Sequence, residues 1–168
     1  MKNSLSLTAG VLPFEIVEKT GCKMLVPNFS AKILKMDPAD EDAVWLQVAG
    51  FTLYCFVSYL GHVVHEGQVY PVRLELWVED DYEIQKSPTM KVEFHHVDGT
   101  FEYHITGFLN EASLEAGITF HDPNFLLHYG YLDQEWVRVR VDRIQVEFEA
   151  GDTVELEPYQ APHPAIEL

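Results

Sequence analysis

Eight histidines give this 168-residue sequence its widest chemical range. The segment His62-Val-Val-His65-Glu66 sets two imidazoles three residues apart. That spacing puts both on one face of a helix but on opposite faces of an extended strand. His95 and His96, being adjacent, divide in the same way, whereas His104, His121 and His128 stand elsewhere in the chain. A metal centre would have to draw on His62, His65, His104 and His121 and gather them through turns. Neither an HExxH nor an HxH pattern marks such a site. Hydrogen-bonded or surface histidine is the expectation, with no metal and no cofactor assigned.

Other routes to chemistry are thinner. Residues 37–42, Asp-Pro-Ala-Asp-Glu-Asp, carry four carboxylates in six positions. They lack the ligand spacing and central glycine of an EF-hand loop, so the segment reads as a solvated connection. Cys22 and Cys55 are the two cysteines; neither sits in a CxxC, and Cys55 lies in the apolar run 51–57 as a buried thiol. There is no GxSxG elbow, no Walker A loop and no GxGxxG. With 27 Asp and Glu in the chain, any chosen pair of carboxylates is uninformative about glycoside chemistry.

Charge says more. The 27 acids against 11 Lys and Arg leave a formal charge of −16, which disfavours nucleic acid and anionic lipid because both are bound largely through cations on phosphate. Solubility accounts for such a surface, and a basic protein partner is the functional alternative. Two segments concentrate the acids: Asp37, Asp40, Glu41 and Asp42 in the first, Glu79, Asp80, Asp81 and Glu83 in the second. Trp77 projects between Glu75 and Glu79 on the polar side of a strand. It is either covered by packed chain or serves as an interface anchor in a charged rim. Arg138 and Arg140, with Arg143 beyond them, are expected to pair with neighbouring carboxylates, an anion contact being the alternative.

The elements that must position these groups read as strands. Residues 69–78 alternate, with Tyr70, Val72, Leu74, Leu76 and Val78 on one face and Arg73, Glu75, Trp77 and Glu79 on the other, the period of a half-buried strand. Residues 43–60 are apolar on both parities around Gly50, which reads as one long strand bent or bulged at the glycine. A turn at Glu66-Gly67 would return the chain antiparallel into 69–78. Asp98-Gly99 signals a hairpin between alternating runs. Residues 110–116 have helical composition for one or two turns, and 121–124 read as a turn. The apolar parity flips at Asp142-Arg143, the mark of a bulge. A hairpin at 150–152, a strand at 154–156 and a proline-bearing extended tail at 158–168 complete the chain.

These readings give an all-β fold, or a β-rich one with a single short helix. The architecture is a small antiparallel barrel or sandwich with bulged and bent strands, of OB-like type in its leading form. The division is N-terminal strands (1–36) packed on a main β domain (43–157), then the tail 158–168. No run reaches the length of a membrane span and no signal peptide is assigned at the N-terminus, so a cytoplasmic location is expected. The leading function is a non-enzymatic acidic module that masks a basic partner, in the manner of an inhibitor or immunity protein, through Trp77 and the two acidic segments. The alternatives are a small-molecule or metal-dependent enzyme with a histidine-lined barrel mouth, and a structural or assembly subunit.

Overall fold

A computed structural model describes residues 29–149 in full and two further strands, 15–19 and 22–26, as backbone. Those two strands, β1 (Glu15–Lys19) and β2 (Cys22–Val26), form an antiparallel ribbon. Five others close a barrel: β3 (Phe29–Met36), β4 (Ala43–Val48), β5 (Phe51–Leu60), β6 (Val69–Trp77) and β13 (Arg143–Phe148). Around the barrel the order is β3, β4, β5, β13, β6 and back to β3. Every pairing is antiparallel except that of β5 with β13. This is a five-stranded Greek-key closure of OB type, and it resolves barrel against sandwich. The strand Phe29–Met36 is a stave between β4 and β6, so the expected boundary after residue 36 falls inside the barrel.

Residues 78–142 leave the barrel between β6 and β13 and build a second sheet. It contains β7 (Glu83–Lys86), β8 (Glu93–His96), β9 (Tyr103–Asn110), β10 (Ser113–Glu115), β11 (Thr119–His121) and β12 (Trp136–Val141). Its order is β11, β10, β9, β12, β7, with β8 also on β9. Buried side chains of both layers, among them Leu46, Val72 and Phe148 from the barrel and Ile105, Leu114 and Val139 from the second sheet, belong to one apolar cluster. Each layer covers what the other would expose. Cys55 is a fully buried free thiol within that cluster, and burial pushes its pKa up. No helix among the described residues is long and apolar enough to cross a membrane.

Several expectations change with the tertiary structure. The run 43–60 is two strands rather than one bent strand: Val48 pairs with Phe51 across a two-residue turn in which Ala49 (φ 50°) and Gly50 (φ 83°) both take positive φ. Such a turn matches the twist of a hairpin. After the turn at residues 65–68, β6 does not pair with β5, because β13 lies between them. The parity flip at Asp142 is not a bulge. It is the step from the second sheet into the barrel, so Val137, Val139 and Val141 bury in one layer while Ile144, Val146 and Phe148 bury in the other.

Helical composition at 110–116 also yields to packing. Asn110 pairs with Ser113, Glu111 takes φ 53°, and Leu114, Ala116, Ile118 and Phe120 are buried along the resulting hairpins. Burial of alternate residues outweighs a few tenths of a kcal/mol of helix propensity. The short helix appears instead at α1 (Pro123–Tyr129), where a turn was expected. Asp122 caps it by accepting from the Asn124 amide, with proline in the first turn. The Asp98-Gly99 hairpin forms between β8 and β9, with Gly99 at φ 76°. The hairpin at 150–152, the strand at 154–156 and the tail 158–168 lie outside the described residues.

Gly107, in the middle of β9, has no room for a side chain. A Cβ there would meet the Glu115 carbonyl oxygen at 2.7 Å and side-chain atoms of Ala116 and Leu114 at 3.1 Å. Gly107→Ala is expected to lower the unfolding free energy in urea by about 1–3 kcal/mol, the usual cost of overpacking. An unchanged urea midpoint would show that β9 and β10 can separate freely.

Candidate functional site

A strip of stacked side chains crosses the outside of the barrel. Trp45 on β4 and Tyr54 on β5 are cross-strand partners with ring centroids 4.8 Å apart. Two residues along the same face of β5 stands Phe56. Phe101, just before β9, stacks flat on Tyr54 at 4.9 Å and meets Phe56 edge-on at 5.7 Å. His96, at the end of β8, lies 5.7 Å from Trp45 and 5.4 Å from Tyr54. The hairpin of the second sheet is thereby fastened onto the barrel. Tyr103 adds a hydrogen bond, its buried hydroxyl oxygen accepting from the Tyr54 amide at 2.6 Å.

At its other end the strip holds a cation. The Arg143 guanidinium carbon sits 4.1 Å from the Phe56 ring centre and 4.0 Å from that of Trp77. Trp77 and Arg143 are register partners on β6 and β13. Trp77 is therefore half-buried by an arginine of its own chain, where a packed loop or a partner was the expectation. A guanidinium between two rings gains cation–π attraction on both faces, and its Nε is covered with no hydrogen-bond partner.

Both acidic segments are tied to this strip. In the first, Asp37 accepts from the Ala39 amide at 2.9 Å and from the Tyr54 hydroxyl at 3.0 Å. The backbone bond, then the tyrosine, hold its carboxyl below the usual aspartate range. Burial, then the Asp37 carboxylate, push the Tyr54 hydroxyl up, so it stays a donor. Asp40 accepts from the Asp42 amide, and the Asp42 carbonyl accepts from Val57 at 2.7 Å, next to Phe56. Glu41 and Asp42 are exposed. In the second segment Glu79, Asp80 and Asp81 are exposed beyond Trp77, and the Glu79 amide donates to Asp142 at 2.7 Å. Asp142 in turn donates its own amide to the Trp77 carbonyl. Glu75 lies exposed two residues before Trp77 and lines a cavity of about 210 Å³ with Phe120 and Asp122.

The arginines are committed within the chain to different degrees. Arg140 meets Glu102 at 2.8 Å, Glu83 at 3.3 Å and Asp142 at 3.4 Å. Arg73 bridges Glu147 and Glu149, both at 3.3 Å. Arg138 has one loose carboxylate neighbour, Glu93 at 3.9 Å. Two cations belong to the strip, Arg143 between its rings and the exposed Lys35, register partner of Trp45; the exposed carboxylates Glu41, Asp42, Glu79, Asp80 and Asp81 at its margins can receive positive charge.

Of the histidines, His95 and His104 are cross-strand partners on β8 and β9 with ring centroids 6.2 Å apart, and the others stand apart from them. His62 lies against Tyr70, whose hydroxyl accepts from the His65 amide. His104 pairs with Glu102 in the second sheet, and His121 lies 3.2 Å from the Ser113 hydroxyl. Among the described residues no three His, Cys, Asp or Glu side chains are placed to hold a metal ion. His121 meets a serine, but the neighbouring Asp122 is taken by the Tyr82 hydroxyl and the Asn124 amide. Phe101 and Arg143 carried no mark of the strip in the sequence; the shared parity of Tyr54 and Phe56 was its one trace.

Residues 28–149 match the model of a family described as uncharacterised conserved protein UCP019853. No curated protein and no solved structure matches the chain. The matched span takes in the barrel and the second sheet together.

Two measurements probe this geometry. A double-mutant cycle with Trp77→Leu and Arg143→Met should return a coupling of about 0.5–2 kcal/mol in chemical unfolding; additivity would mean that the stack is incidental. Glu102 accepts from Arg140 and His104, and the Arg140 bond, then that of His104, hold its carboxyl below the usual glutamate range against the opposing effect of burial. The unfolded chain binds that proton more tightly, so this stability is fully present above the unfolded pKa and is lost as pH falls through the folded one. Glu102→Gln is therefore expected to lower the melting temperature at neutral pH, with the gap to the unaltered protein closing below about pH 4. A gap independent of pH would remove the ion pair as its source.

Proposed function

The chain belongs to the family whose model it matches over residues 28–149, and from the geometry of its acidic strip we propose that it is a non-enzymatic module that binds a basic protein. An inhibitor or immunity-type role follows naturally: masking a cationic site needs a rigid scaffold and negative potential, with no chemistry of its own. The observation that carries this reading is the internal engagement of the arginines. Arg73 and Arg140 are neutralised by their own carboxylates and Arg143 is enclosed by rings, while Glu41, Asp42, Glu79, Asp80 and Asp81 stay exposed. Their potential is open to a partner. The aromatic rings beside them suit the guanidinium groups of that partner. The same arrangement supports the exclusion of nucleic acid, because the β4–β5 face, where OB-type barrels receive oligonucleotides, is covered by Phe101 and His96 and bordered by the 37–42 carboxylates.

A second reading, an assembly subunit, rests on a different surface. Leu127 and Tyr131, at α1 and the turn after it, are 73% and 76% exposed. With Leu126, 51% exposed beside them in the same segment, they make a run of open apolar side chains that suits a contact site.

The experiment is capture by the immobilised full chain from native lysate at low and high salt, followed by affinity measurement with the purified partner. A basic partner is expected whose affinity falls steeply with ionic strength. The combined change Glu79→Gln, Asp80→Asn, Asp81→Asn should weaken it about tenfold or more, mainly through the association rate. Salt-indifferent binding, lost instead on Leu127→Glu, would overturn the acidic-module reading in favour of the assembly subunit.

A further inference from the structure

The outer face of the second sheet holds a different kind of site. Cross-strand pairing sets Arg138 between Gln85 and Thr106, and Arg140 between Glu83 and His104, in two adjoining rows. The two arginines are not equivalent. Arg140 is neutralised by three carboxylates. Arg138 reaches its one carboxylate neighbour, Glu93, at 3.9 Å, beyond hydrogen-bonding distance, and its Nε is covered without an acceptor. The side chain lines a cavity of about 330 Å³, within the range of small-ligand sites. Glu83, Gln85, His104, Arg140 and Tyr129 line it with Arg138; Ile84, paired with the buried Val139, turns its side chain to the core. Tyr129 is held in place, its hydroxyl donating to the Tyr82 carbonyl at 2.6 Å.

We propose that this cavity binds a small monocarboxylate with an aromatic or apolar body, the carboxylate on the Arg138 guanidinium and the body against the Tyr129 ring. The planar fork of a guanidinium matches a planar carboxylate through two parallel hydrogen bonds. No contact closer than 3.9 Å to a carboxylate anchors Arg138, so its terminal nitrogens are free to meet a ligand carboxylate. The surroundings set the ligand's charge. Glu83, Glu93 and Glu102 lie around the same rows, and their field repels a phosphate dianion or a nucleotide while one compact negative charge is compensated by Arg138. This site lies on the second sheet, apart from the acidic strip, and does not rest on the proposed binding of a basic protein.

The test is titration of the isotope-labelled full chain with sodium benzoate, with neutral benzamide of the same shape, and with inorganic phosphate, all at constant ionic strength. Amide signals of Gln85, Arg138 and Tyr129 and the Arg138 Nε–H signal report occupancy. Benzoate is expected to give saturable shifts with a dissociation constant of about 1 mM. Benzamide and phosphate should bind at least about tenfold more weakly. Arg138→Gln should lose benzoate by a similar factor while the signals of the barrel stay in place. Arg138→Lys keeps the charge without the fork, and should bind benzoate more weakly than the unaltered protein; it also serves if Arg138→Gln fails to fold. Benzamide binding as tightly as benzoate would reduce the site to an apolar cavity and overturn the proposal. Preference for phosphate, benzoate affinity unchanged in Arg138→Lys, or no saturable shift with benzoate would each do the same.

Discussion

Closure of the barrel is the constraint from which the other features follow. A five-stranded barrel has no free edge only when its last stave is in place, and that stave, β13, comes from residues 143–148, after the whole second sheet has been made. The chain leaves the barrel at Trp77 and re-enters at Arg143, and these two residues are register partners. Everything between them is therefore obliged to begin and end at one point. Asp142 binds both sides of that point, donating to the Trp77 carbonyl and accepting from the Glu79 amide. The stack of Trp77 on Arg143 closes the same joint from outside.

Where this joint sits decides the character of the surface. Because the second sheet starts and finishes there, its β8–β9 hairpin lies over β4 and β5, bringing Phe101 and His96 onto Tyr54 and Trp45. The rings that result are half-buried, and the arginine among them is enclosed. Positive charge is drawn inward, onto ring faces or into ion pairs such as Arg140 with Glu102. Exposed carboxylates, Glu41 and Asp42 at one end and Glu79, Asp80 and Asp81 at the other, are left at the margins of the strip.

The second sheet shows the same economy with one exception. Arg140 and Arg138 share a face and a strand, yet the first gathers carboxylates from β7, from the loop before β9 and from the joint itself. The second, two residues away, gathers none within hydrogen-bonding distance. A sheet face with one arginine satisfied and its neighbour loosely held is uneven electrostatically, and the unevenness coincides with a cavity bordered by the anchored Tyr129. Repetition of charge along a strand does not imply repetition of role.

Much of the fold was legible from local pattern. Alternation over 69–78 specifies the burial of Val72 and Leu74, and Asp98-Gly99 specifies a hairpin, because a strand's side chains alternate and a turn needs residues that accept its dihedrals. Composition likewise set the acidity of the surface and the location of both acidic segments. What local pattern does not contain is the identity of non-local neighbours. The run 43–60 was apolar throughout, so nothing in its period separated one bent strand from a hairpin, and the parity flip at Asp142 is the same in sequence whether a strand bulges or changes sheets. The partners of Trp77, Arg143, Phe56 and Phe101 were equally hidden, since cation–π and stacking contacts leave no periodic trace along the chain. The sequence by itself determined which residues turn inward and which outward, through short-range sterics and burial. Which outward residues meet was decided by barrel closure, because that alone fixes how strands far apart in the chain are set side by side.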